Sequence, residues 1–196
     1  MNKILSLFIC FFCIPLLFSQ EVELKKWAFY SEKDTTKIAI EIPHTWNTFD
    51  AFDDEPGYWR GKGYYTTEVT ISNISKLYFL HFNGVNQHSK VWVNNLYVGE
   101  HKGGYTAFDL EISKYLILGK NSVTVEVDNS HNETIPPLDA DFTFYGGIYR
   151  SVYLIEENPV HFEKINGADA VKIDALLEDN WQGKLEINGI VFNKDE

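Results

Sequence analysis

The chain has 196 residues, with 17 Lys and Arg against 28 Asp and Glu, for a formal net charge of -11 at neutral pH. That excess repels phosphate backbones and anionic lipid heads, and no basic cluster overrides it locally, so nucleic acid is not expected as a partner. A hydrophobic content of 44% and an aromatic content of 15% exclude a disordered chain, and the length suits one full domain with a fragment of a second.

Met1-Asn2-Lys3 is followed by an apolar run over residues 4–18 and then by Ser19-Gln20-Glu21. One positive charge, a short apolar run and a small residue make the pattern of a secretory signal peptide, and the run is short for a membrane span of roughly 20 residues. Residues 1–19 are therefore expected to be a leader cleaved after Ser19, with export to the periplasm or the medium as its consequence and no membrane attachment afterwards. An uncleaved N-terminal anchor is the alternative. Both cysteines, Cys10 and Cys13, lie in this segment. A chain starting at Gln20 has no disulfide and relies on its core alone.

From Glu21 onward the dominant period is two. Lys90-Val91-Trp92-Val93-Asn94 and Ser122-Val123-Thr124-Val125-Glu126-Val127 alternate polar and apolar, and residues 64–71, 77–82 and 148–155 are short β-rich runs of similar character. Between them lie turn clusters such as Asn83-Gly84, Asn94-Asn95, Lys102-Gly103-Gly104 and Gly119-Lys120-Asn121. Only residues 112–118 tolerate a helical turn. Strands at such short intervals predict an all-β fold, a jelly-roll β-sandwich, and the lack of a crossover helix disfavours nucleotide folds. Around Asn158-Pro159 the aromatics thin out, and residues 161–196 read as three strands, the clearest over 184–192. The expected organisation is a leader at 1–19, a jelly roll at 20–157, and at 158–196 the truncated start of a second sandwich.

The run from Asp139 through Asp141-Phe142-Thr143-Phe144-Tyr145-Gly146-Gly147-Ile148-Tyr149-Arg150 is the most informative. Carboxylates accept hydrogen bonds from sugar hydroxyls, aromatic faces stack on the apolar face of a pyranose, and glycines let backbone approach closely. The chemistry points to a carbohydrate contact loop, with a solvated turn over buried aromatics as the competing reading.

This run also resembles the glycoside hydrolase family 2 pattern of an aspartate and aromatic followed by Gly-Ile-aromatic-Arg. Ile42-Pro43-His44-Thr45-Trp46 resembles the family's Pro-His-x-Trp motif, and Tyr58-Trp59-Arg60-Gly61-Lys62-Gly63-Tyr64-Tyr65 its Gly-aromatic strand. Phe82-Asn83-Gly84-Val85, Lys90 to Asn95 and Glu100-His101-Lys102-Gly103-Gly104-Tyr105-Thr106-Ala107-Phe108 are similar to the central hairpins of its β-galactosidases and β-glucuronidases. The motifs follow the family's order over about residues 24–156.

The resemblance implies a galactose-binding-like jelly roll, then an incomplete immunoglobulin-like sandwich. The (β/α)8 barrel that carries the family's two catalytic glutamates is missing, so no catalytic residue is assigned and the chain alone is expected to be inactive. It further implies that Asp141 positions a sugar in a pocket shared with a barrel, and that Tyr145 joins it in substrate binding. The expected partner is a carbohydrate, either a β-galactoside or a β-glucuronide, and the leading reading is a truncated relative of an exo-acting β-glycosidase used in polysaccharide degradation. The rival reading is a free-standing lectin-like module or a non-catalytic subunit that docks on a separate catalytic chain.

No cofactor or metal is expected. Asn132-Glu133 imitates the family's acid/base dipeptide, but it sits in a polar segment and reads as a loop coincidence. Asp50, Asp53, Asp54 and Glu55 fit no standard calcium loop and read as a solvated turn. Arg150 is expected to form a structural ion pair, Trp46 and Trp92 to be core, and His44 to hydrogen-bond at a domain interface.

Overall fold

The computed structural model describes residues 20–50, 52–53, 57–165, 168–177 and 182–194. The expected leader lies outside them, as do Asp54 and Glu55. The described chain is all-β, its one helical element being a 3-10 turn at Ser113–Tyr115. That turn falls inside the stretch that alone tolerated one.

Two antiparallel sheets form the sandwich. The larger has the order β3-β2-β4-β9-β6-β7, built from β2 (Lys26–Ser31), β3 (Ile38–Glu41), β4 (Lys62–Ile71), β6 (His88–Val93), β7 (Leu96–Lys102) and β9 (Gly119–Asp128). The smaller has the order β1-β10-β5-β8, from β1 (Gln20–Glu23), β5 (Leu77–Phe82), β8 (Phe108–Glu111) and β10 (Val152–Glu157). The period-two pattern decides what each sheet buries. Along β9, Asn121, Val123, Val125 and Val127 point inward while their neighbours face solvent. The three valines meet Tyr65, Leu80, Phe82, Val91, Val93 and Ile148 in one core. Each such side chain stabilises the fold by about 1.5–3 kcal/mol through removal of apolar surface from water. Asn94 and Asn95, with φ of 51° and 65°, make the left-handed two-residue turn that joins β6 to β7.

Two expectations need correction. Trp92 is not a core residue. Val91 and Val93 on either side of it point inward, so the pleat turns Trp92 to the outer face, where it packs edge-on against Tyr97 at 5.7 Å. The run over 148–155 is also not one strand. Gly147, with φ of 131°, sets its start off the ladder, and β10 begins only at Val152.

Beyond β10 the described residues form six short strands rather than three: β11 (Val160–Phe162), β12 (Lys164–Ile165), β13 (Ala168–Asp169), β14 (Val171–Leu177), β15 (Gly183–Gly189) and β16 (Val191–Asn193). They pair two by two, as β11 with β16, β12 with β13, and β14 with β15. The run over 184–192 is divided because Ile190 leaves the β15 ladder, its N–H donating to Ala170 O at 2.9 Å. Val171, Ile173 and Leu177 share one face of the β14–β15 hairpin with Leu185 and Ile187, and all five are exposed. The start of this tail nevertheless docks. His161 packs edge-on against Phe79 at 5.7 Å, over the outer face of the smaller sheet, where Leu77, Phe79 and Ile155 form a second buried cluster. Among the described residues no helix is long and apolar enough to cross a membrane.

Candidate functional site

The loop over residues 139–150 is held from below by two fully buried asparagines that sequence reasoning passed over. Asn47 follows the Pro43-His44-Thr45-Trp46 motif. Its Oδ1 accepts the Gly146 N–H at 2.8 Å, and its Nδ2 donates to Trp59 O at 2.8 Å and to Asp50 Oδ2 at 3.0 Å. Asn129 ends β9 by donating to Phe144 O at 2.8 Å and accepting the Gly61 N–H at 2.8 Å. Buried amides carry such roles because an unmet backbone group costs about 1–3 kcal/mol. Arg60 completes the support: its Nε donates to Asn129 O at 2.6 Å, and its guanidinium lies 4.9 Å above the Phe144 ring.

The paired glycines have a steric reason. A Cβ at Gly146 would run into the Trp46 ring, and one at Gly147 into the His44 carbonyl oxygen. Gly147 instead exchanges two hydrogen bonds with Asn86, N to O at 3.0 Å and 3.2 Å, and Asn86 Nδ2 donates to Tyr145 O at 2.7 Å. Close backbone approach therefore fixes the loop against the segment after β5.

Above this support lies a pocket of about 240 Å³ lined by Asn86, Tyr105, Phe142, Thr143, Tyr145 and Tyr149. Tyr149 can reach it because it has left the ladder, and its hydroxyl donates to Gly104 O at 2.5 Å. Burial raises the pKa of the Tyr105 and Tyr149 hydroxyls, which remain protonated at neutral pH. Four aromatic rings with one amide and one threonine suit a ligand with apolar faces and hydroxyl edges, the description of a pyranose. Tyr145 thus lies in the pocket wall. Asp141, next in sequence to the pocket residue Phe142, is exposed and makes no hydrogen bond or ion pair with the described residues. Its carboxylate stays hydrated and open to a ligand.

The other candidates fall into place around this site. Arg150 is not in an ion pair among the described residues. It is exposed, donates from Nη1 to Asn83 O at 3.3 Å, and lies over the Tyr149 ring at 5.3 Å. Trp46 belongs to an aromatic nest, stacked on Phe29 at 5.8 Å and tilted against Trp59 at 5.2 Å. His44 turns inward, its Nδ1 2.8 Å from Tyr65 Oη, and burial lowers its pKa so that it is neutral. Asn132 caps its own turn, its Oδ1 accepting from Thr134 N at 2.9 Å, and Glu133 beside it is exposed. Asp50 is structural, accepting from Asn47 and from Trp59 N at 2.9 Å. Asp53 is exposed, and among the described residues no group of three or more His, Cys, Asp or Glu could hold a metal ion. Tyr105, Asn86 and Tyr149 were missed as site residues, although the first and last stand in motifs already singled out.

The model for the glycosyl hydrolases family 2 sugar binding domain matches residues 39–158, which contain the whole pocket. A β-glucuronidase of Bacteroides fragilis is 44% identical over 119 residues, 59% of this chain and 17% of that protein. A β-galactosidase of Thermoanaerobacter pseudethanolicus is 34% identical over 132 residues, 64% of this chain and 18% of that protein. The crystal structure of Bacteroides uniformis β-glucuronidase superposes with a TM-score of 0.79 at 32% identity, covering 89% of this chain and 22% of that one. The chain thus spans less than a fifth of the length of these curated relatives. The matching residues contain the supporting asparagines and the aromatic pocket alike, and the chain belongs to glycosyl hydrolase family 2, of which residues 39–158 are the sugar-binding domain.

Proposed function

We propose that this chain is the sugar-recognition part of an exported, exo-acting β-glycosidase that removes terminal sugars from extracellular polysaccharide. The observation that carries the reading is the aromatic pocket on its support of buried asparagines, with the exposed Asp141 next in sequence to its wall residue Phe142. A sugar ring stacks on Tyr105, Tyr145 or Tyr149 through its C–H face, while Asn86, Thr143 and Asp141 meet its hydroxyls. The names of the relatives support a β-glucuronide or a β-galactoside as the sugar. The charge, apolar run and small residue over residues 1–19 support export.

Hydrolysis by a retaining route needs an acid/base and a nucleophile about 5–5.5 Å apart. We assign neither to this chain. The apolar face of the β14–β15 hairpin supports a covering sheet, supplied either by further residues of the same polypeptide or by a separate catalytic chain.

The test is a chimaera in which residues 20–156 replace the matching domain of the Bacteroides uniformis β-glucuronidase. Hydrolysis of an aryl β-glucuronide should stay within about tenfold of the parent enzyme. A folded chimaera without activity would overturn the reading.

A further inference from the structure

A second cavity, of about 270 Å³, adjoins the aromatic pocket, and Tyr105 lines both. Gly103, Gly104, Thr106, Thr134 and Pro136 also line it, together with Lys102 and Ile135. The two cavities are joined mechanically as well as spatially. Tyr149, a wall of the first, donates its hydroxyl to the carbonyl of Gly104, which lines the second. Asn86, another wall of the first, packs so tightly on Gly104 that a Cβ there would collide with its amide. Gly103 has φ of 127°, and a Cβ there would stand in ordinary contact with His101 Nε2 and Thr106 Oγ1, both at 3.7 Å.

Each cavity is below the roughly 300 Å³ at which pockets accept drug-sized ligands, so each suits a single small ring. The chemistry also repeats. The first offers aromatic faces with an amide and a hydroxyl. The second offers the Tyr105 side and Pro136, with the hydroxyls of Thr106 and Thr134. The Thr134 hydroxyl donates to Asn132 Oδ1 at 2.7 Å, which leaves its lone pairs to accept from a ligand. All of these residues lie within the stretch that matches the sugar-binding model.

We propose that the two cavities are consecutive subsites for a glycan of at least two pyranose units, with Tyr105 as the wall shared by both rings. The inference rests on the reading of the first cavity as a sugar pocket. It adds a specificity: the protein recognises the sugar together with the unit to which it is linked, and so selects an oligosaccharide over a monosaccharide.

Saturation-transfer NMR titration of the full chain tests this with four probes: methyl β-D-glucuronide, methyl β-D-galactoside, glucuronosyl-β-1,3-N-acetylglucosamine and lactose. At least one disaccharide should bind about tenfold or more tightly than the methyl glycoside of its terminal sugar, because a second tethered contact raises effective concentration. Thr134 is exposed, so Thr134→Arg fills the second cavity without disturbing the core, and an unchanged Tm verifies that. In this variant the disaccharide advantage should vanish while methyl glycoside binding persists. Methyl glycoside binding with no disaccharide advantage, or an advantage that survives Thr134→Arg, overturns the second subsite and leaves the first pocket standing. Binding of no probe at tens of millimolar overturns both readings together.

Discussion

Lys164 Nζ lies 3.3 Å from Glu157 Oε1, and the pair joins β12 to the last residue of β10, with Glu157 only 7% exposed. The same ammonium reaches Asp169 Oδ1 at 2.6 Å. Together with the His161–Phe79 contact, this pair holds the start of the tail to the sandwich. Beyond it, the β14–β15 hairpin buries nothing. Segments with few buried contacts open at little free-energy cost. Limited proteolysis should therefore cut the β14–β15 hairpin first, with removal of the docked segment over residues 160–169 following only slowly. Lys164→Met leaves Glu157 buried without its cation, at a cost of about 1–3 kcal/mol or more, and should speed that removal several-fold. Equal resistance along the whole chain would mean that the hairpin face is covered in solution.

A second ion pair should be visible in the pH dependence of stability. Both ring nitrogens of His81 face acceptors, Asp109 Oδ1 at 2.7 Å and Asn83 Oδ1 at 3.1 Å, an arrangement that asks for the doubly protonated ring. The hydrogen bond that His81 donates to the Asp109 carboxylate is the main reason that its pKa is raised above its ordinary 6.5. A base whose folded pKa lies above its unfolded value stabilises in full below the unfolded value and loses that contribution as pH rises through the folded one. The Tm of the protein should fall by a few degrees from about pH 6 to about pH 8 relative to His81→Gln. Asp109→Asn should flatten the difference in the same way. His44 acts in the opposite sense, since burial lowers its pKa and its contribution is lost as pH falls below 6.5. A His44→Asn background separates the two.

Catalysis gives a third check. Glu133 is exposed beside a self-capped Asn132, with no second carboxylate assigned to work with it. Purified chain is expected to hydrolyse no aryl β-glucuronide or β-galactoside. Turnover that co-purifies with the protein and disappears in Glu133→Gln would reverse that assignment.

How much of this was legible in the sequence depends on whether local pattern or distant contact does the deciding. Val91, Val93, Val123, Val125 and Val127 announced their strands because alternation is a local property, and Asn94-Asn95 announced its turn for the same reason. The same alternation, applied strictly, would have placed Trp92 on the outer face; its size argued wrongly for the core. Asn47 and Asn129 were illegible. Their importance lies in backbone groups of Gly146, Phe144 and Gly61 that only the fold brings to them. Arg150 misled for a related reason. Its charge suggested a carboxylate partner, whereas the fold offers it a carbonyl and the face of Tyr149. Tyr145 was found because its loop is rich in site chemistry, but Tyr105 reaches the same pocket from the connection between β7 and β8, about 40 residues away, a closure of the kind loop entropy permits and local pattern does not reveal.

The last prediction concerns Asp141, whose expected role in sugar positioning rests on family resemblance and on its open, hydrated carboxylate. On an exposed loop, water competes for every hydrogen bond that the carboxylate could accept from a sugar. The net gain is then about 0.5–1.5 kcal/mol, or somewhat more for a charged acceptor. Isolated chain should bind free sugars no more tightly than millimolar, where a Kd of about 1 mM corresponds to about -4.1 kcal/mol, and Asp141→Ala should change that little. Enclosed between this domain and a barrel, the same contact loses its water and gains strength, because an unmet buried charge is costly. In the chimaera with the Bacteroides uniformis enzyme, Asp141→Ala should therefore lower kcat/KM by about tenfold or more, while Asp141→Asn, which keeps one acceptor oxygen, should lose less. Micromolar sugar binding by the isolated chain that disappears in Asp141→Ala would show the reverse. The carboxylate would then be working without a barrel, and the chain would be a lectin-like module in its own right.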